Sequence, residues 1–271
     1  MTVPTTEQPA TKRQSNRFAK GMAFLIPLAM IGCGVWLVGA VKDAREAARQ
    51  SECQGRFNQI MFALINYHET YKCLPPAYIA DESGKPKHSW RVLLLPFLDQ
   101  HGVYKQYDFN EPWDGPTNRK LASKIYLPIF QCHSGPNYET SLMTDYVVIT
   151  GPQTAFPGSR SVSFEDIRDG RENTILLVEI ANSNIPWMEP RDLEFDEMSF
   201  VVNDPKRPSI SGPHPRGPCV VFADRISAYS LDRTLRPETL KALTTIAGGE
   251  PVSKEKLIRP LADFHNRLAE E

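Results

Sequence analysis

The chain lacks a surplus of either charge: 31 lysines and arginines stand against 32 aspartates and glutamates, a formal net charge of −1. A nucleic-acid partner would call for a clustered basic excess, and none is present. No internal repeat of fixed period is visible, which excludes a solenoid or propeller. The signatures that announce catalysis by spacing are missing too. There is no G-x-S-x-G turn for a serine nucleophile, no G-x-x-x-x-G-K phosphate loop, and no C-x-x-C or H-x-x-x-H pair for zinc. Cysteine is scarce, with five residues, and glycine is near its usual share with 16. Proline is the exception: 23 in 271 residues exceeds the common proportion of about 5% and predicts long, stiffened loops.

What is present begins with residues 22–41, twenty residues without a charged side chain and mostly apolar. At about 1.5 Å of rise per residue such a helix covers the roughly 30 Å hydrocarbon core of a bilayer, so it is read as a transmembrane span. The rival reading is a cleavable signal peptide with Val38-Gly39-Ala40 as its processing site. A signal core has about 7 to 15 residues, and cleavage there would cut a helix just before its amphipathic part. Four basic residues precede the run (Lys12, Arg13, Arg17, Lys20) and four follow it (Lys42, Arg45, Arg49, Arg56), so charge alone leaves the orientation open. Residues 1–21 form the N-terminal tail, Thr-, Gln- and Pro-rich and without periodicity to Asn16, which predicts disorder. With those residues set aside, the remainder is about four units acidic.

Beyond the run, Ala44, Ala47, Ala48 and Ser51, then Cys53, Phe57, Ile60, Leu64, Tyr67 or His68, and Tyr71 step by three and four along one helical face, until Leu74-Pro75-Pro76 ends the helix. Ser89 is placed to cap a short buried helix over residues 90–99, which Pro96 should kink or shorten. Residues 111–116 read as a turn cluster, with a helical turn over 118–124. Residues 145–150 and 174–181 are Val-, Ile- and Thr-rich strands, and 219–223 with 226–231 a hairpin turning at Asp224-Arg225. The sheet is therefore expected to be antiparallel. Residues 237–247 read as an amphipathic helix stopped by Gly248-Gly249, and residues 253–271 as a charged tail or frayed helix. Residues 42–252 then form one extramembrane domain.

Several blocks, in order, resemble one family. Ala44-Arg45-Glu46-Ala47-Ala48-Arg49-Gln50-Ser51-Glu52-Cys53, Asn66-Tyr67-His68-Glu69-Thr70-Tyr71, His88-Ser89-Trp90-Arg91 and Glu111-Pro112-Trp113-Asp114 are four of them. Asn173-Thr174-Ile175-Leu176 and Trp187-Met188-Glu189-Pro190-Arg191-Asp192-Leu193 follow. Together, over roughly residues 40–252, they are similar to the bacterial prepilin-like proteins built around domain of unknown function 1559. The resemblance implies an α+β, pilin-like fold. Its long N-terminal helix, transmembrane and then amphipathic, packs on an antiparallel sheet with short extra helices. It further implies a single-pass protein of the cytoplasmic membrane, its tail in the cytoplasm and its domain outside. Its role would be structural or interactive, with the membrane and other envelope or secretion-system proteins as partners. Two departures stand out. The family's His-x9-Asp-Gly signature reads His214 to Asp224 here but ends in Arg225. At the prepilin processing site Gly21 is retained, while Ile26 replaces the usual glutamate. An uncut N-terminus is the expectation.

Candidate site residues are few. His214, with Asp224 ten residues on, reads either as a ligand or acid–base pair of a ligand-binding or metal-dependent hydrolytic domain, or as a histidine that locks its Gly-Pro-His-Pro-Arg-Gly loop to the hairpin. The second reading is preferred. Trp187 and Trp113 are core plugs or a sugar-stacking surface. Glu189, Arg191 and Asp192 suit a bidentate ion pair. His88, His133 and Cys73 have no ligand spacing, so neither metal nor cofactor is assigned. Of the four domain cysteines, Cys53 and Cys73 sit about 30 Å apart if residues 43–71 are one helix, too far to bridge. The alternatives are the remaining pairings or four unlinked apolar side chains. The family resemblance implies Cys53 with Cys132.

Overall fold

A computed structural model describes residues 12–135, 138, 141–224, 227–252 and 257–258, with backbone alone for residues 12–35 and 257–258. The chain divides into two compact units between Ala48 and Arg49. Helix α1, Lys12–Tyr71, runs through that division. It begins within the segment expected to be an irregular tail, whose residues 12–21 contain no proline to interrupt a helix. Among the described residues no helix is long and apolar enough to cross a membrane. The side chains of residues 22–35, most of the expected span, lie outside the described residues. The last apolar positions of that run, Trp36, Leu37, Val38 and Val41, are exposed.

In the second unit α1 is the spine. Gln50, Cys53, Gln54, Phe57, Ile60, Met61 and Leu64 are buried at the spacing of one helical face. Burial starts at Gln50 and not at Ala44, which is exposed along with Ala48 and Ser51. The helix stops where expected: Lys72 takes a left-handed conformation, φ 61°, and its N–H bonds the carbonyl of His68.

The face of α1 lies on a five-stranded sheet of order β3-β5-β7-β8-β9. Its strands are Tyr146–Val147 (β3), Ile175–Glu179 (β5), Cys219–Phe222 (β7), Tyr229–Leu231 (β8) and Leu257–Ile258 (β9), each antiparallel to its neighbour. Strand alternation sends Tyr146, Leu177, Cys219 and Val221 into the core cluster that contains α1. Val147, Val178, Val220 and Phe222 enter a second cluster with Leu240 and Leu243. A register shift between Ile175 and Leu177 resets the alternation, which places the consecutive Leu176 and Leu177 on the same side. The second cluster is closed by helix α5, Pro237–Ala242, shorter than the pattern suggested.

Three further expectations need correction. Leu257–Ile258, within the presumed charged tail, pairs with β8 as an edge strand, because two apolar β formers meet an open row of backbone groups there. The expected strand over 145–150 splits, and Ile149–Thr150 (β4) pairs in parallel with Leu193–Glu194 (β6), so antiparallel pairing does not extend to the whole molecule. A hairpin of Tyr78–Ala80 (β1) and Pro86–Ser89 (β2) was not anticipated; the Asp81 carboxylate accepts the Ser83 and Lys85 amides across its turn. Ser89 does cap α2, Trp90–Leu94, and Pro96 converts the rest to a 3₁₀ turn, Leu95–Leu98. Short helices His101–Tyr104 (α3) and Pro116–Ala122 (α4) complete the α+β fold.

Phe57 is fully buried, its ring 4.3 Å from that of Tyr146. Phe57→Ala should lower unfolding stability by about 3–5 kcal/mol, against less than about 0.5 kcal/mol for the exposed Phe62→Ala. Chemical denaturation of the two variants measures the contrast.

Candidate functional site

Between α1 and the sheet lies a buried cluster of ionisable side chains drawn from five segments. Cys53 comes from α1, and Cys132 follows the turn Pro128–Phe130. Their sulfurs are 3.2 Å apart, as free thiols. Cys132 Sγ is also 3.2 Å from His214 Nε2, which lies 3.7 Å from Glu179 Oε1 at the end of β5. Glu179 Oε2 accepts the backbone N–H of Cys219 at 2.8 Å, whereas Oε1 has no hydrogen-bond partner. Cys53, Glu179, His214 and Cys219 are wholly buried and Cys132 nearly so.

The local sequence explains how such groups pack. Strand alternation puts Glu179 on the same side as Leu177, under α1. The backbone passes close by at Gly212, where a Cβ would come within 2.6 Å of Glu179 Oε2. Three residues after His214, Gly217 turns at φ 103°, with a Cβ position only 1.9 Å from the Leu231 carbonyl oxygen. The His214 carbonyl accepts from Gly217 N–H at 3.0 Å and from Arg233 Nη2 at 2.6 Å. This loop is thereby tied to β8 and fixes the imidazole.

The electrostatics divide the thiols. The sulfur–sulfur hydrogen bond with Cys132 and, further down, the His133 N–H pointing at Cys53 Sγ from 3.1 Å draw the Cys53 thiol down to about 4 against the opposing effect of burial. Cys132 is correspondingly raised, first by that same bond and then by burial. Burial lifts Glu179 to about 7, partly countered by His214. Beside these two thiols stands a carboxyl that ionises near neutrality.

A second polar knot holds the expected ion-pair residues apart from this cluster. Arg191 makes a bidentate pair with Glu189, Nε to Oε1 at 2.8 Å and Nη2 to Oε2 at 3.2 Å, at the surface. Asp192 turns inward instead: Arg91 Nη2 donates to its Oδ1 at 2.5 Å, and Trp90 Nε1 and the Val148 N–H donate to it as well. Burial raises Asp192 to about 6 in opposition to Arg91. Arg91, fully buried, also donates to the Tyr146 carbonyl and Ser89 Oγ. Trp187 is a core residue stacked on Phe130. Asp224 is exposed beyond β7, while His214 is buried. The other weighed residues have separate partners: His88 bonds Tyr107 and the Phe109 carbonyl, and His133 stacks on Tyr138 and pairs with Glu52.

Sequence reasoning missed Glu179, and it weighed Cys219 only as one of the four domain cysteines. The available signal was a glutamate ending the otherwise apolar run Ile175-Leu176-Leu177-Val178, since a charge in a strand buried on both faces requires a partner.

A family profile described as Protein of unknown function (DUF1559) matches residues 42–201, more than half of the chain, which belongs to that family. The matched span covers Cys53, Cys132, Glu179 and the Arg91–Asp192 pair and ends before His214. No curated protein and no solved structure matches the chain.

Arg91→Met should cost about 3–5 kcal/mol, because Asp192 remains buried without its cation, and Arg91→Met with Asp192→Leu should recover about 1 kcal/mol or more. Denaturation of both variants, followed by tryptophan fluorescence, provides the comparison.

Proposed function

We propose that this chain is a membrane-anchored, pilin-like protein of the cell envelope, with a structural or protein-interaction role and no enzymatic activity. The observation that carries this reading is α1: one helix whose face from Gln50 to Leu64 builds the core against an antiparallel sheet. The same helix includes the uncharged stretch 22–41, of which Trp36 to Val41 displays apolar side chains. Burying that stretch in lipid removes an apolar surface that water would otherwise wet. In this reading the domain lies outside the cytoplasmic membrane and meets other envelope or secretion-system proteins.

A hydrolytic reading centred on His214 and Asp224 has less support. A general base must come within hydrogen-bond reach of its substrate, and His214 is wholly buried. The loop contacts of His214 favour a positioning role instead.

The test is fractionation followed by intact mass of the detergent-extracted chain. The expected result is a protein that alkaline carbonate leaves in the membrane, whose domain external protease degrades in spheroplasts, and whose mass starts near Met1. A start at Met22 would show prepilin processing and favour filament assembly. A start at Val41, with release by carbonate, would overturn the anchor.

A further inference from the structure

The buried sulfurs, imidazole and carboxylate form two overlapping triads, Cys53–Cys132–His214 and Glu179–His214–Cys219, each with its ligand atoms within 4.8 Å of one another. We propose that Cys53, Cys132, His214 and Glu179 bind one thiophilic divalent metal ion of the zinc class while the two thiols are reduced. This inference does not rest on the membrane reading.

Three observations carry it. First, donor chemistry: two sulfurs, one imidazole nitrogen and one carboxylate oxygen make the mixed set that zinc accepts in four-coordinate sites. Second, Glu179 Oε1 is fully buried without a hydrogen-bond partner, a costly arrangement that a cation would relieve. Its other oxygen is held by the Cys219 N–H, as outer-shell bonds commonly orient a ligating carboxylate. Third, the spacing: Cys132 Sγ stands 3.2 Å from both Cys53 Sγ and His214 Nε2. Metal–ligand bonds of about 2.0–2.3 Å place tetrahedral donors roughly 3.3–3.8 Å apart; the 3.7 Å from His214 Nε2 to Glu179 Oε1 meets that range, the two sulfur contacts approach it, and His214 joins the sulfur pair to the carboxylate. The His133 N–H, directed at Cys53 Sγ from 3.1 Å, is an outer bond of the kind that a ligating sulfur accepts.

The same sulfurs can leave the site by oxidation. A two-electron thiol oxidant such as an azo compound takes two electrons and two protons from Cys53 and Cys132, joins them at about 2.05 Å, and becomes a hydrazine. That bond uses both sulfur donors, gives Glu179 Oε1 no partner, and excludes the metal.

Cobalt(II) titration of the full detergent-solubilised chain, reduced under inert gas, tests the site. Expected are one cobalt per chain, thiolate-to-cobalt charge-transfer absorption and the visible bands of tetrahedral coordination. Diamide should abolish binding and produce a Cys53–Cys132 linkage in peptide maps, and reduction should restore it. Cys53→Ser should remove the charge-transfer band, and Glu179→Gln should weaken binding by about tenfold or more. Reduced protein with native circular dichroism that takes up no cobalt would overturn the proposal, as would a disulfide that resists reduction without unfolding. Should Cys53→Ser fail to fold, Glu179→Gln decides: cobalt affinity equal to that of the unaltered chain refutes the four-donor site.

Discussion

One helical face supports the rest of the domain. The Cys53, Phe57, Ile60, Met61 and Leu64 stripe shares one buried cluster with Tyr146, Leu177, Cys219 and Val221 of the five-stranded sheet, and its loss would open the inner side of that sheet to water. Polar contacts then set its register. Gln50 Nε2 donates to Ser230 Oγ at 2.7 Å, Asn58 Oδ1 accepts the Ala228 N–H at 2.8 Å, and Arg56 Nη1 donates to the Gln131 carbonyl at 2.8 Å. Beyond the helix end, the Leu74 N–H meets the Val162 carbonyl at 2.7 Å. Dispersion and hydrophobic burial are non-directional, so directional bonds at buried edges fix where a smooth apolar face stops sliding.

The core contains two polar centres with different physical logic. Arg91 and Asp192 are satisfied almost completely by each other, Trp90, Ser89 and backbone carbonyl and amide groups, so their desolvation is offset within the knot. The Cys53–Cys132–His214–Glu179 cluster is less complete, with one carboxylate oxygen left over. Both centres join segments distant in the chain; the first reaches the Tyr146 carbonyl, and the Tyr146 ring packs 4.3 Å from that of Phe57, one turn along α1 from Cys53. Polar groups of this kind discriminate against alternative packings more strongly than an apolar core does, since any shift leaves a charge unpaired.

Much of the architecture was legible locally. The stop at Leu74-Pro75-Pro76, the Ser89 cap, the shortening at Pro96 and the strand runs before Glu179 and after Cys219 follow from backbone sterics and side-chain period, which neighbours in sequence decide. Less legible were events of pairing. The split at Val148 and the parallel β4–β6 contact depend on what residues 193–194 do 40 residues later, and the Leu257–Ile258 strand depends on an open sheet edge. Of the expected ion-pair residues Glu189, Arg191 and Asp192, the last takes its cation from Arg91, far away in the chain, where it also accepts the Val148 N–H.

By itself the sequence determined the helix, its buried stripe from Cys53 onward, the strand content and the family, because hydrophobic period and short motifs are properties of adjacent residues. Only the tertiary structure decided that His214 faces Cys132 and Glu179 rather than solvent, and that the Cys219 N–H bonds the Glu179 carboxylate beside them. Those contacts arise where a helix face, a strand end and a glycine-bounded loop converge, and no spacing along the chain records that convergence.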